Sequence, residues 1–120
     1  MIVLIVEPEP ELGRLWKRHM ERQGAKVLLV EGQDSAFDLL RAHPVDIIVL
    51  DLVLRDGSAL AISDYASYRR PEARVIFVTN TTFFSDGSIF LHSPNACAFL
   101  QSATPPEDLA AMVLHYSRAG

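Results

Sequence analysis

Short apolar runs recur along the chain at even intervals: Ile2 to Val6, Val27 to Val30, Ile47 to Leu50, Val75 to Val78 and Ala96 to Leu100. None alternates with polar residues, which is the pattern of strands covered on both faces. The segments between them carry the other period. In ELGRLWKRHMERQG, residues Leu12, Leu15, Trp16, His19 and Met20 fall on one helical stripe, and Gly24 sits where a left-handed C-cap belongs. In QDSAFDLLRAH, residues Ala36, Phe37 and Leu40 share a face, and Pro44 closes the segment. A third helix is expected from about Ser58 to Arg69, presenting Ile62, Tyr65 and Tyr68. The last has the strongest start signal, Thr104-Pro105-Pro106-Glu107, which offers an N-cap hydroxyl, first-turn proline and a capping-box glutamate. Its expected buried stripe is Leu109, Met112, Val113 and Tyr116.

One stretch resists this reading. Residues 80–95, NTTFFSDGSIFLHSPN, mix polar and aromatic positions without a clean period and predict a short or distorted fourth helix. Its Phe83-Phe84 pair, with Phe90 nearby, either fills core gaps or marks a docking patch. Strands alternating with helices imply right-handed crossovers and a parallel sheet covered on both faces, an α/β fold.

The length of 120 residues suits one domain, read as 1–120. No apolar run approaches the ~20 residues needed to cross a bilayer, so no membrane role is expected. The opening MIVLIVEP has neither a basic n-region nor a cleavage site, so it reads as a strand in a cytoplasmic protein. A net charge of -4 gives no basic footprint for nucleic acid, so protein partners are expected. The single cysteine, Cys97, excludes an internal disulfide and a thiolate zinc site, and is expected as a small core residue. The four histidines, His19, His43, His92 and His115, are too dispersed for a metal cluster.

In parallel sheets of this kind, sites gather at the carboxyl ends of the strands. Those ends offer Glu7, Pro8 and Glu9 after the first strand, Asp51 after the third, Thr79 and Asn80 after the fourth, and Gln101 and Ser102 after the fifth. Asp51, closing VDIIVLD, has three readings: a ligand for a hard cation, a nucleophile toward phosphorus, or a strand terminator capping the Asp56-Gly57 turn. A strand-end phosphatase aspartate would need a second aspartate two residues on, and Asp51-Leu52-Val53 lacks it. A nucleotide-binding loop after the first strand would want glycine, serine and threonine, where this chain has EPEPE.

DIIVLDLVLRDGSAL, VIFVTN and NACAFLQSATPPEDL together resemble the receiver domain of two-component response regulators, over essentially the whole chain. The resemblance implies a flavodoxin-like, doubly wound (βα)5 sandwich with strand order 2-1-3-4-5, two helices on one face and three on the other. It implies a signalling module rather than an enzyme, with Asp51 as phosphoacceptor, Thr79 as the switch hydroxyl and Phe99 as the aromatic switch. The implied partners are a histidine kinase or phosphotransfer protein and a downstream protein. A homodimer through the face of the fourth helix, fifth strand and fifth helix is also implied. With no output segment after Tyr116, a single-domain regulator is expected.

Two departures stand out. The family carries adjacent acids after its first strand, where this chain has Glu7-Pro8, so Mg2+ ligands must come from Glu7, Glu9 and Asp51 and a weakened site is expected. The family's lysine and following proline fall on Ser102-Ala103, which removes the cation that would meet phosphoryl charge. Arg55, in the loop after Asp51, reads either as a substitute cation or as a solvated loop charge. Retention of Asp51, Thr79 and Phe99 favours a working phosphorelay receiver, and the departures favour a phosphorylation-independent interaction module.

Overall fold

A computed structural model describes residues 1–79 and 95–118 of the chain. The elements in order are β1 (Ile2–Val6), α1 (Pro10–Glu21), β2 (Lys26–Val30), α2 (Gln33–Ala42), β3 (Ile47–Asp51), α3 (Ala59–Arg69), β4 (Arg74–Thr79), β5 (Ala96–Gln101) and α4 (Pro106–Arg118). The expected fourth helix, with Asn80, Phe83, Phe84, Phe90 and His92, lies outside the described residues.

The strands form one parallel sheet in the order β2-β1-β3-β4-β5, as expected from the resemblance. β1, β3 and β4 occupy its centre and are almost wholly buried, which is why their sequences are continuously apolar. β2 and β5 are edges and keep half-exposed positions. Period-two alternation sends Val3, Ile5, Val49, Ile76 and Val78 toward Trp16, Met20, Leu109 and Val113, on α1 and α4. It sends Leu4, Val6, Leu50 and Phe77 to the other face, against Ala36, Leu40, Ile62 and Ala66 of α2 and α3. Among the described residues each face therefore carries two helices.

Helix ends follow local chemistry, with two departures from expectation. Ser58 caps α3, its hydroxyl oxygen accepting from the Ala61 N–H at 3.2 Å. Tyr68, expected on the buried stripe of α3, is instead 82% exposed. The stripe is Ala59, Ile62, Ser63 and Ala66, and at 100° per residue Tyr68 falls on the opposite side of the helix. Tyr65 lies between, its ring 4.7 Å from that of Phe37. α4 begins at Pro106, and the Pro105 carbonyl accepts from the N–H groups of Asp108 and Leu109 at 2.9 and 3.1 Å. Pro105 thus takes the N-cap position expected of Thr104. Cys97 is half-buried on β5, its Sγ 3.6 Å from the Val75 carbonyl, and burial pushes the thiol up to about 11.

Two glycines hold left-handed backbone. Gly24 (φ +91) ends the turn after α1 and a Cβ there would meet open space, whereas Gly57 (φ +90) packs so tightly that a Cβ would lie 2.4 Å from Gln33 Cβ. The Gln33 Oε1 accepts from the Ser58 N–H at 2.8 Å, so this contact ties the start of α2 to the loop after β3. Gly57→Ala is expected to lower unfolding free energy by about 2–3 kcal/mol in urea titration, and Gly24→Ala by only about 1 kcal/mol, the conformational cost alone.

Candidate functional site

The site is built at the carboxyl edge of the sheet, where β1 and β3 pair in parallel from Val3↔Ile47 to Val6↔Leu50. That register puts the residue after β1, Glu7, beside the last residue of β3, Asp51. Glu7 extends the ladder by donating its N–H to the Val30 carbonyl at 3.0 Å, which carries its side chain into the interior, where it is 1% exposed. Its Oε2 accepts from the Glu9 N–H at 2.9 Å, and its Oε1 is buried without such a donor among the described residues. Pro8 is buried between the two glutamates.

Asp51 is half-buried, with Oδ1 accepting from the Val53 N–H at 2.8 Å. The Leu52 N–H donates to the Val78 carbonyl at 2.9 Å, which holds the first residue of the loop against β4. Thr79 is fully buried at the end of β4, and its carbonyl accepts from the Ser102 N–H at 2.7 Å, so the ends of β4 and β5 are joined where Thr79 and Ser102 stand. Phe99 is half-buried on β5, in register with Phe77, and packs on the α2–α3 side of the sheet.

Glu9 goes elsewhere. Its exposed carboxylate accepts from Arg55 Nη2 at 2.7 Å, linking the loop after β1 to the loop after β3. Of the three expected metal ligands, the structure therefore brings Glu7 and Asp51 together and pairs Glu9 with a guanidinium. Among the described residues no three His, Cys, Asp or Glu side chains are grouped to hold a metal ion. The residues present offer a divalent cation a pair of carboxylates, which is a partial fit.

Electrostatics explain the orphaned Glu7 oxygen. Burial, foremost, disfavours the charged form; a hydrogen bond with Asp51 and repulsion from Asp51 and Glu9 act in the same direction, against the opposing Glu9 N–H bond. Together they push the Glu7 carboxyl from its ordinary 4.5 up to about 8. At neutral pH Glu7 is thus held toward its neutral form, hydrogen-bonded with Asp51. As a bare carboxylate, Glu7 would bury a charge with one oxygen lacking a donor, and protonation removes that charge. Neither the burial of Glu7 nor its bond to Asp51 was visible in the run EPEPE, whose three glutamates look alike in sequence.

Beside the acid pair opens a cleft of about 760 Å³ lined by Glu7, Arg14, Glu31, Gln33 and Asp56 among others. A smaller hollow of about 200 Å³ lies between Pro8, Glu31, Gly32, Arg55 and Asp56. The edge of the sheet at Glu7 is therefore open on the side of β1 and β2.

Because the folded-state value of Glu7 lies above its ordinary value, the folded protein binds the proton more tightly than the unfolded chain. Its contribution to stability is complete below pH 4.5 and is lost as pH rises through about 8. Glu7→Gln keeps the donor and removes the ionisation. Thermal melting across this range is expected to show wild type losing several degrees relative to Glu7→Gln between pH 4.5 and about 8, with the two curves parallel below pH 4.5 and again above that range.

Comparison with known proteins agrees with this architecture. Residues 3–113 match the model of the response regulator receiver domain. The chain is 31% identical over 78 residues to the photosynthetic apparatus regulatory protein RegA of Cereibacter sphaeroides, covering 65% of this chain and 42% of that one. The crystal structure of a CheY-like receiver domain protein from Methanospirillum hungatei JF-1 superposes with a TM-score of 0.89 at 19% identity, covering 98% of this chain and 94% of that one. A response regulator from Burkholderia pseudomallei, solved with a phosphorylated aspartic acid, a calcium ion and citrate, superposes at 0.79 with 20% identity, covering 95% and 71%. At these identities the two structures show the fold. The chain spans between 17% and 42% of the length of the curated relatives it matches. A five-stranded parallel sheet in the order 2-1-3-4-5, an aspartate ending its central strand and a family match over nearly the whole length place this chain in the response regulator receiver domain family of two-component signalling.

Proposed function

We propose that the domain accepts a phosphoryl group on Asp51 from a histidine kinase or phosphotransfer protein and passes the change to a downstream protein. The observation that carries this reading is the setting of Asp51. It ends the central strand, half-open to solvent, with one oxygen held by the Val53 N–H and a buried acid beside it.

In the transfer, an Asp51 carboxylate oxygen attacks phosphorus. The O–P bond of an acyl phosphate forms while the P–N bond of the donor phosphohistidine breaks, and the electron pair leaves on an imidazole nitrogen. The ring, protonated at its other nitrogen, departs neutral. The backbone N–H of Val53 holds the carboxylate in place, and Glu7 in its protonated form adds no negative charge beside the incoming phosphoryl group.

Receiver domains bind Mg2+ at the phosphorylation site. Here Glu7 and Asp51 are the carboxylates that would hold the ion, whose chemistry is to offset phosphoryl charge. We read the site as weakened: Pro8 supplies no carboxylate, Glu9 is engaged by Arg55, and Glu7 must release a proton before it can ligate. Thr79, buried at the end of β4, and Phe99, half-buried on β5, are the residues that would report occupancy of Asp51 to a partner or to a second copy of the chain.

A second reading, a domain that binds its partner without phosphorylation, is favoured by one observation: Ser102 stands hydrogen-bonded to the end of β4 where the family has lysine. Intact mass after incubation with Mg2+ and a phosphoramidate donor separates the two. Wild type is expected to gain one phosphoryl mass and Asp51→Asn none; equal, unmodified masses with unchanged partner binding would establish the second reading. Ser102→Lys, which returns a cation to the site, is expected to speed loading by ~10-fold, the scale of one charge-assisted hydrogen bond.

A further inference from the structure

We propose that Arg55 is the residue that takes over the phosphoryl charge on Asp51, and that its ion pair with Glu9 is the resting position from which it moves. The inference rests on the acceptor reading of Asp51 and adds the cation that this reading lacks.

Three observations carry it. First, Arg55 stands four residues after Asp51 in the loop that the acceptor begins, and its guanidinium already crosses to the loop after β1, 2.7 Å from Glu9 Oε1. Second, Glu9 is bonded through its backbone N–H to the Glu7 carboxyl, which in turn meets Asp51. One glutamate therefore separates the guanidinium from the acid pair, and Arg55 lines the hollow that opens beside Pro8. Third, the cleft and the hollow beside the acid pair are lined by the acids Glu7, Glu31, Asp34 and Asp56, and Ser102 brings no charge.

Charge and geometry favour the exchange. The Glu9–Arg55 pair is exposed on both sides, 63% and 68%, so solvent screening leaves it weak and readily opened. A phosphoryl group carries close to two negative charges and three acceptor oxygens, and guanidinium matches it with a fork of donors. Phosphorylation thus offers Arg55 a stronger partner than Glu9. Leaving Glu9 would also uncouple the loops after β1 and β3, so the same movement that neutralises the phosphoryl group alters the surface around the acceptor.

The test loads the full chain with phosphoramidate in Mg2+ and follows intact mass during loading and, after removal of the donor, during loss. Arg55→Ala is expected to lose its phosphoryl group at least ~10-fold faster than wild type, Arg55→Lys to be intermediate, and Glu9→Gln, which frees the guanidinium, to load faster. Melting temperatures of these variants should match wild type, since the pair is exposed. Arg14→Ala, removing the other cation at the mouth, is the comparator. Loading and loss in Arg55→Ala at wild-type rates, or equal effects from Arg14→Ala, would overturn the assignment while leaving Asp51 as acceptor. Wild type that never loads overturns the acceptor reading itself, and this inference with it.

Discussion

Parallel pairing of β1 with β3 brings two carboxyl groups from distant parts of the sequence to one point, and the site's chemistry depends on that pairing. On its other side β1 continues its ladder with β2 for one residue more, through the Glu7 N–H on the Val30 carbonyl, so the first glutamate of EPEPE is drawn into the interior while Glu9 remains in water. Burial then makes the two acids unequal. Glu7 holds its proton to about pH 8, and Asp51, half-open to solvent, accepts from the Val53 N–H. A single hydrogen bond between an acid and a carboxylate is a stable way to keep two such groups together where lysine is missing and proline replaces an acid.

Around this pair the fold supplies rigid supports and movable ones. The buried faces of β1, β3 and β4 fix the backbone that carries Glu7, Asp51 and Thr79. Gly57 and Gln33 lock the far end of the loop after β3 to the start of α2, which confines movement to the segment between Asp51 and Asp56. Arg55 lies in that segment, its guanidinium in an exposed ion pair with Glu9. A charged loop tethered at both ends and weakly held in the middle is suited to respond to a change of charge at Asp51 without disturbing the sheet.

Much of the architecture was legible in the chain. The apolar runs are strands within a residue or so at each end because sheet burial leaves little else for five consecutive apolar residues to do. The misreadings are local and physical. Tyr68 was expected on the buried stripe with Ile62 and Tyr65, but Ile62 with the small residues Ala59, Ser63 and Ala66 defines the inner face of α3, and the large ring is turned out. Thr104 looks like an N-cap in sequence, yet two consecutive prolines move the first helical carbonyl to Pro105.

The sequence by itself determined the strand order's raw material, the acceptor candidate at the end of the third strand and the absence of a lysine and a second acid, because these depend on residue identity and period. What only the tertiary structure decided is which of three like glutamates is buried, which is paired with Arg55, and that the buried one lies against Asp51 with its carboxyl pushed toward the neutral form. Those distinctions arise from strand register and from contacts 44 to 46 residues apart, such as Arg55 with Glu9. No local pattern encodes them, since the energy that separates the glutamates comes from desolvation, and desolvation exists only once the chain has closed around them.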